Sequence, residues 1–202
     1  MKKTLIGAVV ALLGIASAAS AQEPPILWDT PSFMGPRPGS DLGFYVMDVE
    51  GSDIGFQGIW RTDGAMNLGL RAGFLDTPGD GIVVLGAETW GLLVEDNPDF
   101  PLDLSWTAGA GAWLNGRTVV AVPVGLSIGK TLDLDNSMAL QLYGHPRIGL
   151  VLFEDVNDDL EAGLEGQFDL GADFYVSPSV ALKLGISLGD TDGLGLGVSL
   201  RQ

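Results

Sequence analysis

His145 is the only histidine in this chain of 202 residues, and it is the first residue to test for catalysis. A histidine acts as a general base when a serine nucleophile and an orienting acid lie beside it. Its neighbours in sequence are Gly144, Pro146 and Arg147, and no serine is among them. We therefore expect a non-catalytic histidine that bonds to an acid within the fold or at its rim. A lipid-modifying enzyme that uses this histidine is the alternative.

Three acids, Glu165, Asp169 and Asp173, recur at a spacing of four residues. On a β-strand this spacing puts them on one face, with about 13 Å between neighbours. That separation is too large for the carboxylate pair of a glycosidase. We expect salt bridges to basic residues of adjacent strands instead, and the candidates are Arg71, Arg147 and Lys183.

Residues 155–159 resemble the start of a calcium loop, with side-chain oxygens at its first, third and fifth positions. The pattern then fails, because Leu160 stands where the loop needs glycine and Gly166 where it needs glutamate. A solvated acidic loop is the favoured interpretation, and divalent cations at acidic loops are a candidate partner. No phosphate-binding loop precedes a helix, and we predict no catalytic, cofactor or metal site.

The composition of the chain excludes several classes of partner and site. The chain has 26 acidic and 10 basic residues, and its net charge is −16. Nucleic acid is not an expected partner, because its phosphates need a basic surface. Hydrophobic residues make up 46% of the chain, far more than in an acidic disordered protein. Cysteine is absent, so neither a disulfide nor a thiolate metal site is available.

Two segments precede the folded part. Residues 1–21 carry Lys2 and Lys3, a short apolar run and the small-residue pattern Ala19-Ser20-Ala21, which together predict a cleaved signal peptide. Residues 22–40 contain five prolines. Because proline lacks an N–H group and fixes φ, this segment cannot be a regular helix or a central strand. We predict an extended periplasmic arm.

Residues 41–202 show apolar residues at every second position, interrupted by turn residues such as Asn115-Gly116. This pattern is typical of consecutive antiparallel hairpins. It predicts an all-β fold, a single antiparallel up-and-down β-barrel of about ten strands, with eight as the alternative. The predicted strands are 41–50, 53–61, 65–75, 81–94, 102–114, 117–131, 137–153, 160–176, 179–189 and 193–201.

A period of two fits either a soluble barrel, such as a periplasmic ligand-binding barrel, or a membrane barrel with its apolar face outward. The face opposite the apolar one favours the membrane barrel, because it carries glycine, alanine and serine rather than the dispersed charges of a water-facing surface. Small residues suit the interior of a narrow barrel. The charges on this face are balanced, four against four, and we predict lumen ion pairs among Arg61, Arg71, Arg147, Lys183, Glu88, Glu165, Asp169 and Asp173.

Aromatic residues on the apolar face support a membrane barrel. Four of them fall near the same end of their predicted strands and are candidates for an aromatic girdle at the membrane–water boundary: Phe44, Trp60, Trp106 and Phe174. Trp90 has the parity of the inward face, which predicts either its burial or a bulge. Pro123 and Pro146 lie within predicted strands, where we also expect bulges.

The leader, the alternating strands, the tight turns and a last strand over 193–200 resemble the small bacterial outer-membrane β-barrels of the OmpA/OmpX/OmpW-like group. The resemblance implies location in the outer membrane of a Gram-negative bacterium, with outer-membrane lipid and the barrel-assembly machinery as partners. Members of this group usually end in an aromatic residue, whereas this chain ends Leu200-Arg201-Gln202.

Ten strands enclose a narrow interior, which paired charges would largely fill. We therefore expect a barrel without enzymatic activity, with a structural or interaction role or slow, porin-like passage of small solutes.

Overall fold

A computed structural model describes residues 27–64, 66–77, 81–115, 117–154 and 160–202. The predicted signal peptide and the acidic loop 155–159 lie outside these residues. Within them, ten strands and one short 3₁₀ helix, Asp135–Ser137, follow one another along the chain. The strands are β1 (Asp41–Val49), β2 (Gly55–Thr62), β3 (Leu68–Leu75), β4 (Ile82–Val94), β5 (Asp103–Asn115), β6 (Arg117–Asp133), β7 (Ala139–Glu154), β8 (Leu160–Ser177), β9 (Val180–Gly189) and β10 (Gly193–Arg201).

The strands close into one antiparallel barrel. Each pairs with its neighbours in sequence, and β10 returns to β1, with Asp41 opposite Arg201 and Val49 opposite Gly193. Closure gives every described strand a paired neighbour on each side, so none of them is an edge strand. The prediction of a ten-stranded up-and-down barrel is confirmed, and the alternative of eight strands is wrong. We call the end where β1 begins and β10 finishes the terminal rim, and the other end the far rim.

Alternation along the strands separates two chemically different faces. On the outside, Phe44 is 57% and Leu196 is 59% exposed. On the inside, Arg61 and Lys183 are 0% and 2% exposed. This arrangement is the reverse of a soluble protein, in which long charged side chains face water.

Two irregularities in register occur among the described strands. One lies between Leu92 and Val94 on β4, the strand for which the parity of Trp90 predicts burial of that residue or a bulge. Trp90 is buried, and the irregularity follows it. The other lies between Tyr175 and Ser177 on β8.

The bulges predicted at the two in-strand prolines are wrong. Pro123 stays in register with Gly149, and Pro146 with Phe168. Each proline instead interrupts the ladder to its other neighbour, β5 for Pro123 and β6 for Pro146. A missing N–H group removes a ladder hydrogen bond to one neighbouring strand, and here the register holds across the gap.

The wall of the barrel is uneven in height. Strands β6, β7 and β8 have 17, 16 and 18 residues, whereas β1, β2 and β3 have 9, 8 and 8. At about 3.3 Å per residue and a tilt of about 40°, the shorter strands rise roughly 20–23 Å, close to the ~25 Å apolar band of outer-membrane barrels. The longer strands extend past β9 and β1 at the far rim.

Candidate lumen site

All eight residues predicted to form lumen ion pairs lie on the inner face and are buried. None is more than 5% exposed. They come from six strands: Arg61 (β2), Arg71 (β3), Glu88 (β4), Arg147 (β7), Glu165, Asp169 and Asp173 (β8), and Lys183 (β9). Because a buried charge without a partner costs several kcal/mol, the partners of these groups determine whether such an interior is stable.

The wall supplies many of these partners. Glu88 accepts from both Arg61 Nε and Arg71 Nη2, at 2.7 Å each. Lys183 Nζ lies 3.2 Å from Asp173 and 2.9 Å from Asp41, the first residue of β1. These contacts link strands on opposite sides of the β10–β1 junction, so the ion pairs also brace the closure of the barrel.

Arg147 makes the third group of wall contacts, through Nε to Asp169 at 2.6 Å. Glu165 differs from the other seven predicted residues, because among the described residues it has neither an ion pair nor a hydrogen-bond donor at its carboxylate oxygens. The Asp173 oxygens also lack a hydrogen-bond donor, but Lys183 Nζ lies 3.2 Å from one of them.

Residues 27–40, the described part of the segment predicted to be a periplasmic arm, lie inside the barrel. All but Arg37, Gly39 and Ser40 are buried. The expectation of an extended arm fails for this part because Leu27, Trp28, Phe33 and Met34 carry apolar surface that must be buried. The prolines keep the segment out of the sheet, and the narrow lumen takes it in. We call residues 27–40 the plug.

The plug supplies further hydrogen-bond acceptors to two lumen arginines. Arg147 donates to the Asp29 carboxylate through Nη1 and to Thr30 Oγ1 through Nη2, the latter at 3.2 Å. Arg71 donates to the Ser32 carbonyl oxygen at 2.6 Å. Charge-assisted hydrogen bonds of this kind are about twice as strong as neutral ones, so the plug is held by charges of the wall.

Serines of the wall fasten the part of the plug nearer the terminal rim. Ser127 Oγ donates to the Met34 carbonyl at 2.7 Å, and Ser105 Oγ to the Pro36 carbonyl at 2.5 Å. At the rim itself, Arg37 pairs with Asp103 at 2.8 Å and with Glu95 at 3.0 Å. The hydrogen bonds to these two carboxylates, Asp103 first, raise the pKa of Arg37 above its usual range.

Glycines of the inner wall make room for the aromatic residues of the plug. A Cβ atom on Gly86 or Gly111 would collide with the Trp28 ring. The Arg71 guanidinium carbon lies 5.5 Å from the centre of that ring, in cation–π range. Phe33 in turn lies against Gly195 and stacks on Tyr45, with 4.2 Å between ring centres. The small inner-face residues therefore accommodate the plug.

His145 lies in the lumen, 3% exposed, between the plug and the wall. Its Nδ1 is 2.7 Å from Ser32 Oγ of the plug and 3.5 Å from Asp169, and its Nε2 is 2.8 Å from Thr107 Oγ1. The cavity beside it measures only about 10 Å³, room for about one water molecule. This arrangement holds the plug in place and offers no space for a substrate, and it is remote from any lipid-facing rim.

The sequence pattern predicts neither the plug nor several of the residues that bind the lumen charges. Asp29, Ser32, Asp41 and Thr107 each contact His145 or one of the eight predicted lumen residues, yet none lies in a recognisable motif. One available signal was the occurrence of Trp28 and Phe33 in a segment without alternation, since large apolar residues need a surface to pack on.

The predicted girdle residues lie on the outer face close to the terminal rim. Phe44, Trp60 and Trp106 are 57%, 37% and 39% exposed, and Phe174 is partly exposed. Phe56 and Phe74 pair with each other across β2 and β3 nearer the far rim. Leucines and valines cover much of the remaining outer surface, among them Leu70, Leu182, Leu184, Leu196 and Val198.

An apolar belt around a closed sheet with a charged interior is stable only where the surroundings are themselves apolar, because exposed leucines on this scale would aggregate in water. The protein is a β-barrel of the outer-membrane type. The alternative of a soluble periplasmic barrel fails, since its exterior would have to be polar. Among the described residues, no helix is long and apolar enough to cross a membrane.

The barrel resembles solved structures in overall architecture, while no family model and no curated protein matches its sequence. A KdgM porin matches with a TM-score of 0.43 and 7% identity, over 80% of this chain and 99% of the porin. The outer-membrane protein Omp33 of Acinetobacter baumannii matches with a TM-score of 0.36 and 12% identity, over 81% and 98%. Neisserial surface protein A gives 0.35 and 12%, over 81% and 94%. At these identities the likeness concerns a fold and not a function.

The acidic loop 155–159, for which divalent cations are the candidate partner, lies outside the described residues. In the part of the chain that the structure describes, no three histidine or acidic side chains are grouped to hold a metal ion.

Proposed function

We propose that this outer-membrane barrel is closed at rest by its own N-terminal segment, and that it has a structural or interaction role in the cell envelope. The observation that carries the proposal is the burial of residues 27–36 in the lumen, with Asp29 and Ser32 bonded to arginines of the wall. A barrel of ten strands has little interior to spare. A peptide segment packed inside it occupies space that a solute would need.

The surroundings of His145 support a role without enzymatic activity. A Thr107–His145–Asp169 arrangement places a hydroxyl and a carboxylate on opposite ring nitrogens, as a catalytic triad does. The adjoining cavity of about 10 Å³ is far below the ~300 Å³ of even a small ligand pocket. Ser32 competes with Asp169 for the same nitrogen. These contacts are consistent with a histidine that attaches the plug to the wall.

Slow passage of small solutes is the second candidate, and one observation favours it. The plug is attached by ion pairs, hydrogen bonds and packing, without a strand pairing to the wall, and its removal would uncover a lumen lined by arginine and carboxylate side chains. Passage would then depend on the fraction of time for which the plug is released.

Conductance of single barrels in a planar lipid bilayer tests the proposal. We expect the purified protein to be closed for most of the record, and the double variant D29N/G111V to show stable openings. Gly58→Val, on the outer face where a Cβ would meet only the Ala72 carbonyl oxygen at 3.9 Å, is the matched control and should stay closed. A steady open conductance of the unaltered protein would overturn the plugged resting state.

A further inference from the structure

Near the far rim, the inner face of β8 carries three oxygen atoms without a donor. Glu165 is 1% exposed, and no described residue donates to its Oε1 or Oε2. Gln167 is 4% exposed, and its Oε1 likewise has no partner among the described residues. The two residues alternate along one strand and so project to the same face, with about 7 Å between their Cα atoms.

The turn between β9 and β10 fixes the orientation of these groups. Gln167 Nε2 donates to the carbonyl oxygen of Thr191, which leaves the amide oxygen as the free end. The Asp190 carboxylate accepts from the backbone N–H of Gly166 at 2.6 Å, directly between the two residues. Asp190 therefore brings a second negative charge to the same corner of the lumen.

Nearby cationic groups are already engaged. Gly149 is the register partner of Glu165 on β7, and Arg147 is the next inward residue on that strand. Arg147 is shared between Asp169 and Asp29. Glu165 is thus a buried carboxylate in a negative environment, a state that protein interiors avoid unless a proton or a cation compensates it.

Glu165 lies close to the far rim. The pairing of β8 with β9 ends where Gln167 meets Gly189, and Glu165 lies beyond that last pair. The buried oxygens of Glu165 and Gln167 are therefore next to the exposed Asp190 of the β9–β10 turn.

We propose that Glu165 and Gln167, with Asp190 beside them, form a binding site for a hard divalent cation of the calcium class. Carboxylate and amide oxygens are the ligands that such ions prefer. A cation can contact all three free oxygens at once, whereas a proton on one Glu165 oxygen can be shared with only one further acceptor. With one carboxylate and one amide as direct ligands, we expect a Kd on the order of 10⁻⁴–10⁻³ M, as in weak extracellular calcium modules.

Calcium binding to the full chain, purified from membranes in detergent, tests the proposal by equilibrium dialysis with radioactive calcium. We expect Glu165→Gln to bind one ion fewer per barrel than the unaltered protein. Glu161→Gln removes the same charge from an exposed position on the same strand, and it should keep the site. Equal binding by the unaltered protein and Glu165→Gln would overturn the proposal.

Two further measurements cover the case in which Glu165→Gln does not fold. Gln167→Met keeps every charge and nearly the volume, and we expect it to weaken calcium binding roughly tenfold, the equivalent of one contact to a charged group. Infrared spectroscopy of the unaltered protein distinguishes the rival state. A protonated carboxyl band that persists in saturating calcium, and that shifts in frequency in a Glu165→Asp variant, would contradict the cation site.

Discussion

Two parts of the lumen use the same kinds of charge for different purposes. Near the terminal rim, Lys183 joins Asp41 and Asp173, so that every member of the group belongs to a strand. In the middle of the barrel, Arg147 divides its contacts between Asp169 of the wall and Asp29 of the plug. The first group stabilises the closed barrel, and the second keeps the plug inside it. The stability of the barrel therefore depends on different contacts from those that keep the plug in the lumen. A mutation in the first group should destabilise the barrel, and a mutation in the second should release the plug without unfolding the barrel.

The largest effect is expected at the wall group. Lys183→Met removes the cation that lies between Asp41 and Asp173, and leaves only the longer Arg61–Asp41 contact of 3.8 Å. Loss of one member of a buried ion pair costs about 3–5 kcal/mol. Urea unfolding of the barrel in lipid vesicles measures this loss. Lys130→Met, at a half-exposed position on β6, should change the free energy of unfolding by far less. Equal stability of the two variants would show that the wall group does not brace the barrel.

A smaller effect, confined to the plug, is expected from Asp29→Asn. The substitution removes a charge-assisted hydrogen bond of about 1.5–3 kcal/mol but leaves Arg147 paired with Asp169. Hydrogen exchange followed by mass spectrometry should show faster exchange in residues 27–36, with unchanged protection of the strands. Asp99→Asn removes the same charge from an exposed loop and serves as the control. Faster exchange throughout the barrel would contradict the separation of wall and plug.

Gly111→Val tests the packing of the plug instead of its charges. The added side chain occupies the place of the Trp28 ring, and overpacking of this kind costs about 1–3 kcal/mol. We expect Trp28 to leave the lumen, with a red shift of tryptophan emission toward that of solvent-exposed indole. Gly58→Val on the outer face provides the comparison. An unchanged spectrum would mean that the inner glycines do not serve the plug.

The smallest effect is expected from Ser32→Ala. One hydrogen bond to His145 is lost, at about 0.5–1.5 kcal/mol, while the Ser32 carbonyl keeps its contact with Arg71. Hydrogen exchange of residues 27–36 should accelerate less than in Asp29→Asn. A larger acceleration than in Asp29→Asn would place the main attachment of the plug at His145.

The same division explains what sequence reasoning could and could not predict. The strands and the inward charges follow from a period of two, which is local and visible in the sequence. The plug has no period, and its contacts are remote, since Asp29 and Arg147 are 118 residues apart. The proline content of residues 22–40 excludes a strand, and it says nothing about whether the segment lies outside or inside the barrel.

The sequence also does not predict which lumen residues form ion pairs or hydrogen bonds with one another. Glu88 binds both Arg61 and Arg71 across the register of three consecutive strands, a geometry that depends on the closed cylinder. Thr107 and Ser32 meet His145 only because the plug and β5 are brought to the same level.

The accessibility of single cysteines tests the central claim most directly, because the natural chain contains no cysteine to interfere. Ser32→Cys places a thiol in the buried part of the plug, and Ser40→Cys places one at its half-exposed end. In barrels inserted in lipid vesicles, we expect a charged maleimide to label Ser40→Cys rapidly and Ser32→Cys only after unfolding. Equal labelling rates at the two positions in the folded barrel would contradict a plugged lumen.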